Sequence, residues 1–310
     1  MALGTNHVTK TTADKFIPEI WSDEVVAAYK QNLVAANMFS KMTFKGKKGD
    51  TLHIPKPTRG AASAKAASTQ VTLIAATETE IQVLINKHFE YSRLIEDIVE
   101  TQALASLRKF YTDDAGYALA KQVDTDLIQL GRAVGSGTDY STSSTTTNAF
   151  IGSNGTTVYN STSSNAAALT DAAIRRSIQR LDDADVPMTD RCMIVPPSTR
   201  NTLMGLARFT EQAFVGEQGS ANTIRNGMIG DLYGVMSYVS TNADTAAGNS
   251  GTDRICLLAH KDAFVLAEQM GVRSQIQYKQ EYLGTLFTSD MLYGVAELRD
   301  SSAVALAVPA

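Results

Sequence analysis

His7, His53, His88 and His260 are the only imidazoles in the 310-residue chain, and a metal or proton-transfer site would need them at ligand spacing. They stand apart, with no H-E-x-x-H and no i,i+4 pair. Cys192 and Cys256 lie in the apolar runs Arg191–Val195 and Ile255–Leu258. They read as two buried small hydrophobes of a reducing compartment, not as a disulfide framework or a zinc cluster. Gly135-Ser136-Gly137 lacks a third glycine and follows a helix pattern, the reverse of the dinucleotide-binding context. Lys45-Gly46-Lys47-Lys48-Gly49 lacks the glycine spacing and the Lys-Ser/Thr ending of a phosphate-binding loop, and reads as a basic strand-turn surface. Gly248-Asn249-Ser250-Gly251 resembles a protease serine only faintly; its Thr/Ala/Gly surroundings, with no histidine in a supporting motif, make it a turn. Glu96-Asp97 and Asp182-Asp183 each open or close a helix pattern, where solvated charge is expected. No catalytic, cofactor-binding or metal-ligating residue is expected.

Composition narrows the classes further. The 28 basic and 32 acidic residues sum to −4 with neutral histidines, which excludes a strongly basic nucleic-acid binder. Positive charge does not cluster on one face, so any DNA contact would be weak and non-specific. At 44% apolar and 19% charged the chain can bury a large core. The first residues have no apolar signal region, and no stretch of about 18 uninterrupted apolar residues follows, so no secretory or membrane-spanning signal is visible.

The elements follow from periodicity. Trp21, Val25, Ala28, Tyr29, Leu33 and Ala36 step by three and four, a helix over 22–36 with Ser22 as its cap. Trp21 could anchor a partner or pack into its own core. From Lys41 the period becomes two: Leu52 and Ile54 alternate with polar neighbours, and Pro55 and Pro57 confine that strand to an edge or a ribbon. A flexible stretch with its tip near Arg59 to Ser68 leads to a second arm carrying Val71, Leu73, Ile81, Val83 and Ile85. Such a hairpin is too thin to be stable alone. Either a neighbouring copy covers it or it folds back on its own domain.

Leu104, Leu107, Tyr111, Ala115, Leu119, Val123, Leu127 and Leu130 keep one face apolar between Asp97 and Arg132, predicting a rod of roughly 50 Å. The Ser/Thr/Asn/Gly-rich stretch 136–168 reads as a surface excursion with a small ribbon through 149–151 and 157–159. Thr170 should cap a second helix, with Leu169 and Ile174 as its hydrophobic staple and Pro187 as its stop. Strands are expected at 192–195, 236–239, 255–259, 274–282 and 294–308, with short helical pieces after Pro197 and over 260–268. The class is α+β.

Several stretches resemble one family. FIPEIWSDEVVAAYKQNLVAANMF (16–39) looks like the arm, GDTLHIPKP (49–57) the first strand of the extended loop, and FEYSRLIEDIVETQA (89–103) the start of the spine helix of Hong Kong 97-type coat proteins, the major capsid proteins of tailed bacteriophages. NGMIGDLYGVMSYVSTNA (226–243) resembles a segment of their axial domain, and HKDAFVLAEQ with YGVAELRDSSAVAL their C-terminal half. The resemblance implies an N-terminal arm at 1–40 and an extended β-hairpin loop at 41–93. It implies a peripheral domain with the spine helix at 94–196, including the 136–168 insertion, an axial domain at 197–270, and returning peripheral strands at 271–310.

The implied function is a structural subunit that self-assembles through pentamers and hexamers into an icosahedral shell enclosing the phage genome. Trp21, Tyr29, Lys56, Arg59 and Lys65 are the expected inter-subunit contacts. The sequence departs from the founding member of the fold in lacking a long, charged, coiled-coil-like N-terminal segment, so a separate scaffolding protein is expected. A portal protein and decoration proteins are the further partners of such a shell, which would be assembled in the bacterial host cytoplasm. Some relatives cross-link a lysine to an asparagine; Lys56 and Lys65 lie in or beside the loop, but nothing identifies an asparagine partner. An encapsulin-like bacterial compartment shell and a soluble α+β hydrolase are the alternatives.

Overall fold

The computed structural model describes residues 34–45, 48–57, 60–71, 73–74, 78–98, 106–135, 139–142, 148–206, 231–247 and 252–310. Two sheets and one long helix organise them. The first sheet has the order β1 (Ser40–Thr43), β11 (Phe264–Lys279), β12 (Gly284–Glu297), β4 (Lys87–Glu96), with β1 parallel to β11 and the other pairs antiparallel. The second runs β5 (Phe150–Ile151), β13 (Ala303–Val308), β10 (Thr252–His260), β6 (Arg191–Val195), β8 (Val235–Val239), β7 (Asp231–Leu232), and β9 (Thr245–Ala247) pairs with β10. A separate two-stranded ribbon joins β2 (Thr51–Pro57) to β3 (Glu78–Leu84).

Helix α2, Ser106–Gln129, spans 24 residues and ends in a 3-10 turn at Leu130–Arg132; at 1.5 Å per residue it is about 36 Å long. Ala115, Leu119, Val123 and Leu127 are buried at the expected spacing. Their face meets residues of both sheets, among them Ile194, Leu257, Phe264 and Tyr293, and the short helix α1 (Ala35–Met38) closes the same core. The far face of the second sheet is covered by α3 (Asp171–Asp183) and α4 (Pro197–Met204). Thr170 caps α3, its Oγ1 accepting the Ala173 N–H at 3.3 Å, and Leu169 and Ile174 are buried together as the staple requires.

The structure corrects four expectations. Residues 89–96, read as the start of the spine helix, form β4: alternate residues Lys87, Phe89 and Tyr91 turn toward the core, and the strand pairs with β12 along its length. The helical piece expected over 260–268 is a 3-10 turn, Lys261–Ala263, followed directly by β11, because Phe264–Ala267 are buried between two strand neighbours, β1 and β12. The terminal strands are three, not two, since β12 begins at Gly284 and the 3-10 turn Asp300–Ser302 separates it from β13.

The 136–168 stretch is not only a surface excursion. Its ribbon is present, with the Tyr159 N–H donating to the Ala149 carbonyl at 2.7 Å, and Tyr140 and Tyr159 are buried against Ala246, Ile255 and Ala305. Residues 150–195 share a sheet with 231–260 and 303–308, whereas 264–297 lie with β1 and β4. Of the predicted 22–36 helix, only residues 34–36 lie within the described residues; Ala35 and Ala36 fall in α1.

Candidate functional site

The hairpin is anchored at one end and bare at the other. Alternation places Leu52, Ile54 and Val83 on one face, and that face packs on Val265, Ala267, Met42, Ala296 and Leu298 of the first sheet. The Ile85 N–H donates to the Asp50 carbonyl at 2.8 Å and closes the base. Along the arm Thr51 faces Leu84 and Pro57 faces Glu78, with a cross-strand His53–Glu80 contact at 3.0 Å. Pro55 and Pro57 remove two backbone donors from β2, as expected for an exposed ribbon.

Beyond the paired arms the described residues include a turn at 66–69, where Thr69 donates to the Ala66 carbonyl through both its N–H and its hydroxyl. Val71, Leu73 and Ile74 are 61%, 88% and 62% exposed. Three exposed apolar side chains within four residues of a thin hairpin are the kind of surface that marks an interaction site. Lys56 and Lys65 lie on this hairpin, both exposed, Lys56 in β2 and Lys65 in the tip. Trp21, Tyr29 and Arg59 lie outside the described residues.

A second bare apolar surface was not anticipated. At the far end of β11, β12 and β4 the side chains of Val272, Ile276, Tyr278, Tyr282, Leu283 and Ile98 are all about half exposed or more. Ile276 and Tyr278 alternate with polar residues, a period-two signal that could have marked the surface. Tyr278 donates to Asp97 at 2.7 Å, which ties this end of the sheet to the segment leading to α2.

Four buried aspartates hold the two sheets and the helix in register. Asp124 of α2 accepts the Val34 and Ala35 N–H groups on Oδ1, at 2.9 and 2.7 Å, and the Asn242 amide on Oδ2 at 2.9 Å. It thereby caps α1 from another element. Asp126 accepts from the Tyr293 hydroxyl at 2.6 Å and pairs with Lys87 at 3.0 Å. Asp244 takes both arms of Arg132 at 2.7 Å and the Tyr140 hydroxyl at 3.0 Å. Burial first, then the Asp244 charge, pushes the Tyr140 phenol well above its ordinary value. Asp290 takes both arms of Arg273, at 3.0 and 2.7 Å, with His88 at 3.3 Å, and the hydrogen-bonded guanidinium holds its carboxyl below the usual range. Spacing could not reveal any of these groups, because their partners lie far off in the chain.

The arrangement is poor in reactive groups. Among the described residues no three His, Cys, Asp or Glu side chains gather as metal ligands. Cys192 and Cys256 are buried in separate clusters, and burial pushes both thiols up to about 12, so neither supplies a thiolate near neutrality. The described chain offers repeated apolar and hydrogen-bonding surface held by rigid sheets, which suits association.

A family model described as phage capsid protein matches residues 23–307. No curated protein matches the chain. Among solved structures, one from Mycobacterium phage Che8 is 23% identical with a TM-score of 0.73, covering 94% of this chain and 97% of that one. The capsid of cyanophage P-SCSP1u is 18% identical with a TM-score of 0.75, over 99% and 96% of the two chains. The capsid asymmetric unit of cyanophage Pam1 is 13% identical with a TM-score of 0.70, over 99% of both.

Proposed function

The chain belongs to the phage capsid protein family, and from that premise we propose that its exposed hairpin tip is completed by a neighbouring copy during shell assembly. The protein is a structural major capsid protein with the α+β Hong Kong 97-type coat fold, a component of the virion shell that self-associates. The observation that carries the finer reading is the contrast along one hairpin: Val83 is fully buried on its own sheet while Leu73 is 88% exposed. A hairpin whose base is fixed and whose apolar tip is bare is built to reach across a boundary between copies.

In this reading the first sheet, α2 and the hairpin form the peripheral part of the subunit. The second sheet with α3 and α4 forms the axial part, around the centres of pentamers and hexamers. Lys56 and Lys65, on the hairpin, and Trp21, Tyr29 and Arg59 would contribute to contacts between copies. The contact is heterologous, and such contacts close into rings or run on into open assemblies according to small changes in angle. A size-setting scaffolding protein is therefore part of the proposal, together with a portal protein, decoration proteins and assembly in the host cytoplasm. Packaged DNA would be met by weak, non-specific contact, consistent with the net charge of −4.

The test is the size and shape of the purified particle, with and without a co-expressed scaffold. Closed shells seen in negative-stain images are the expected result. Monomers or dimers under every condition would overturn the reading.

A further inference from the structure

The two sheets are joined by crossovers that run side by side. β10 passes to β11 through Lys261–Ala263, and β12 passes to β13 through Asp300–Ser302. The Ala263 carbonyl accepts the Leu298 N–H at 2.8 Å and the Arg299 N–H at 3.4 Å, so the crossovers are bonded to each other. The turn that follows α2 closes on the same place, where the Gly135 N–H donates to Asp300 Oδ1. Two of the three backbone connections between the sheets lie in this junction, and the third, from β4 through α2 to β5, meets it at the Gly135 turn.

Glu297, the last residue of β12, carries its side chain into the junction. Its Oε1 is buried with no hydrogen-bond partner, while the carboxyl is hydrogen bonded to Asp300. An orphaned buried carboxylate oxygen is costly, and the cost falls when a proton is shared between two carboxyls. Burial, with the Asp300 charge beside it, pushes Glu297 up to about 7. The other charged groups on the packed elements are Arg299 on the same turn, Lys261 and Asp262 on the opposing turn, and Arg132 after α2. Asp262 accepts from Ser40 Oγ at 2.6 Å, Arg132 is held by Asp244, and His260 Nδ1 accepts the Asp262 N–H at 3.1 Å. Asp300 is the charged group that acts on Glu297.

We propose that the Glu297–Asp300 carboxyl pair is a proton-operated latch on the crossover between the two sheets. With Glu297 protonated and donating to Asp300, the pair holds the Asp300 turn closed on Gly135. With both carboxyls ionised, repulsion between them opens that turn and loosens the setting of one sheet on the other. The latch belongs to the fold of the single chain and stands independently of how copies associate.

Hydrogen exchange on the full-length chain, normalised at each pH to the intrinsic exchange rate, tests it. Between pH 5.5 and 8.5, protection at residues 135 and 298–302 should fall about tenfold, the effect of one pKa unit of linkage, while the strand centres change little. Glu297→Gln should abolish the fall, and Asp300→Asn should move its midpoint down by about one pH unit. A flat wild-type profile, or the wild-type slope retained in Glu297→Gln, would overturn the latch. If Glu297→Gln does not fold, an unmoved midpoint in Asp300→Asn overturns it equally.

Discussion

Gly294 of β12 lies directly against the backbone of Leu84: a Cβ on Gly294 would fall onto the Leu84 carbonyl oxygen and stand 3.0 Å from its carbonyl carbon. The hairpin base thus rests on the sheet at a point where only hydrogen fits. Gly294→Ala must push β3 off β12, and overpacking of this kind costs about 1–3 kcal/mol. Thermal unfolding of the variant should show the loss, with fewer shells formed; wild-type stability would mean that the backbone gives way freely.

Stability and assembly should separate along the hairpin. Leu73→Asp with Ile74→Asp changes exposed positions and should move stability by no more than about 0.5 kcal/mol, yet shells should fail to form. Val83→Ala removes two buried methyl groups and should cost about 2 kcal/mol. Equal loss of stability in both variants would show that the tip also belongs to the subunit core.

Asp124 should be costly to remove although no charged side chain pairs with it among the contacts described above. Asp124→Ala leaves the Val34 and Ala35 N–H groups and the Asn242 amide without their acceptor, and unsatisfied buried donors cost about 1–3 kcal/mol. Asp124→Asn keeps one acceptor oxygen and should lose less. Denaturant midpoints rank the two, and an alanine variant as stable as wild type would remove the capping role.

Acid and base should act on different carboxyls. Glu297 is raised from 4.5 to about 7 in the folded chain, so its contribution is fully present below pH 4.5 and is lost as pH rises through about 7. The loss should be on the order of 2 kcal/mol after allowing for partial exposure. Asp290 is lowered from 3.8, so its contribution is present above that value and is lost as pH falls through the lowered folded value. Stability measured against pH should therefore decline on both sides of a maximum near pH 5. Glu297→Gln should flatten the alkaline side alone, and an unchanged alkaline slope in that variant would contradict the assignment.

Neither cysteine should react in the native state. With both thiols pushed up to about 12 and buried, a thiol reagent at pH 8 should label nothing until denaturant is added. Labelling of the folded chain at the rate of a free thiol would show that the clusters around Cys192 or Cys256 open.

The elements whose physics is local were legible in the chain alone. Thr170 and its staple, the apolar stripe from Ala115 to Leu127, and the alternation of Leu52 with Ile54 depend on neighbours within a turn or a pleat, and spacing records such neighbours. The order of those segments carried the family resemblance. Tertiary structure decided what depends on distant partners. Val83 is core because Val265 and Ala267 lie beneath it, β4 is a strand because β12 pairs with it, and Asp124 is a cap because α1 begins beside it. These partners are separated by tens to hundreds of residues, and no periodicity reaches that far.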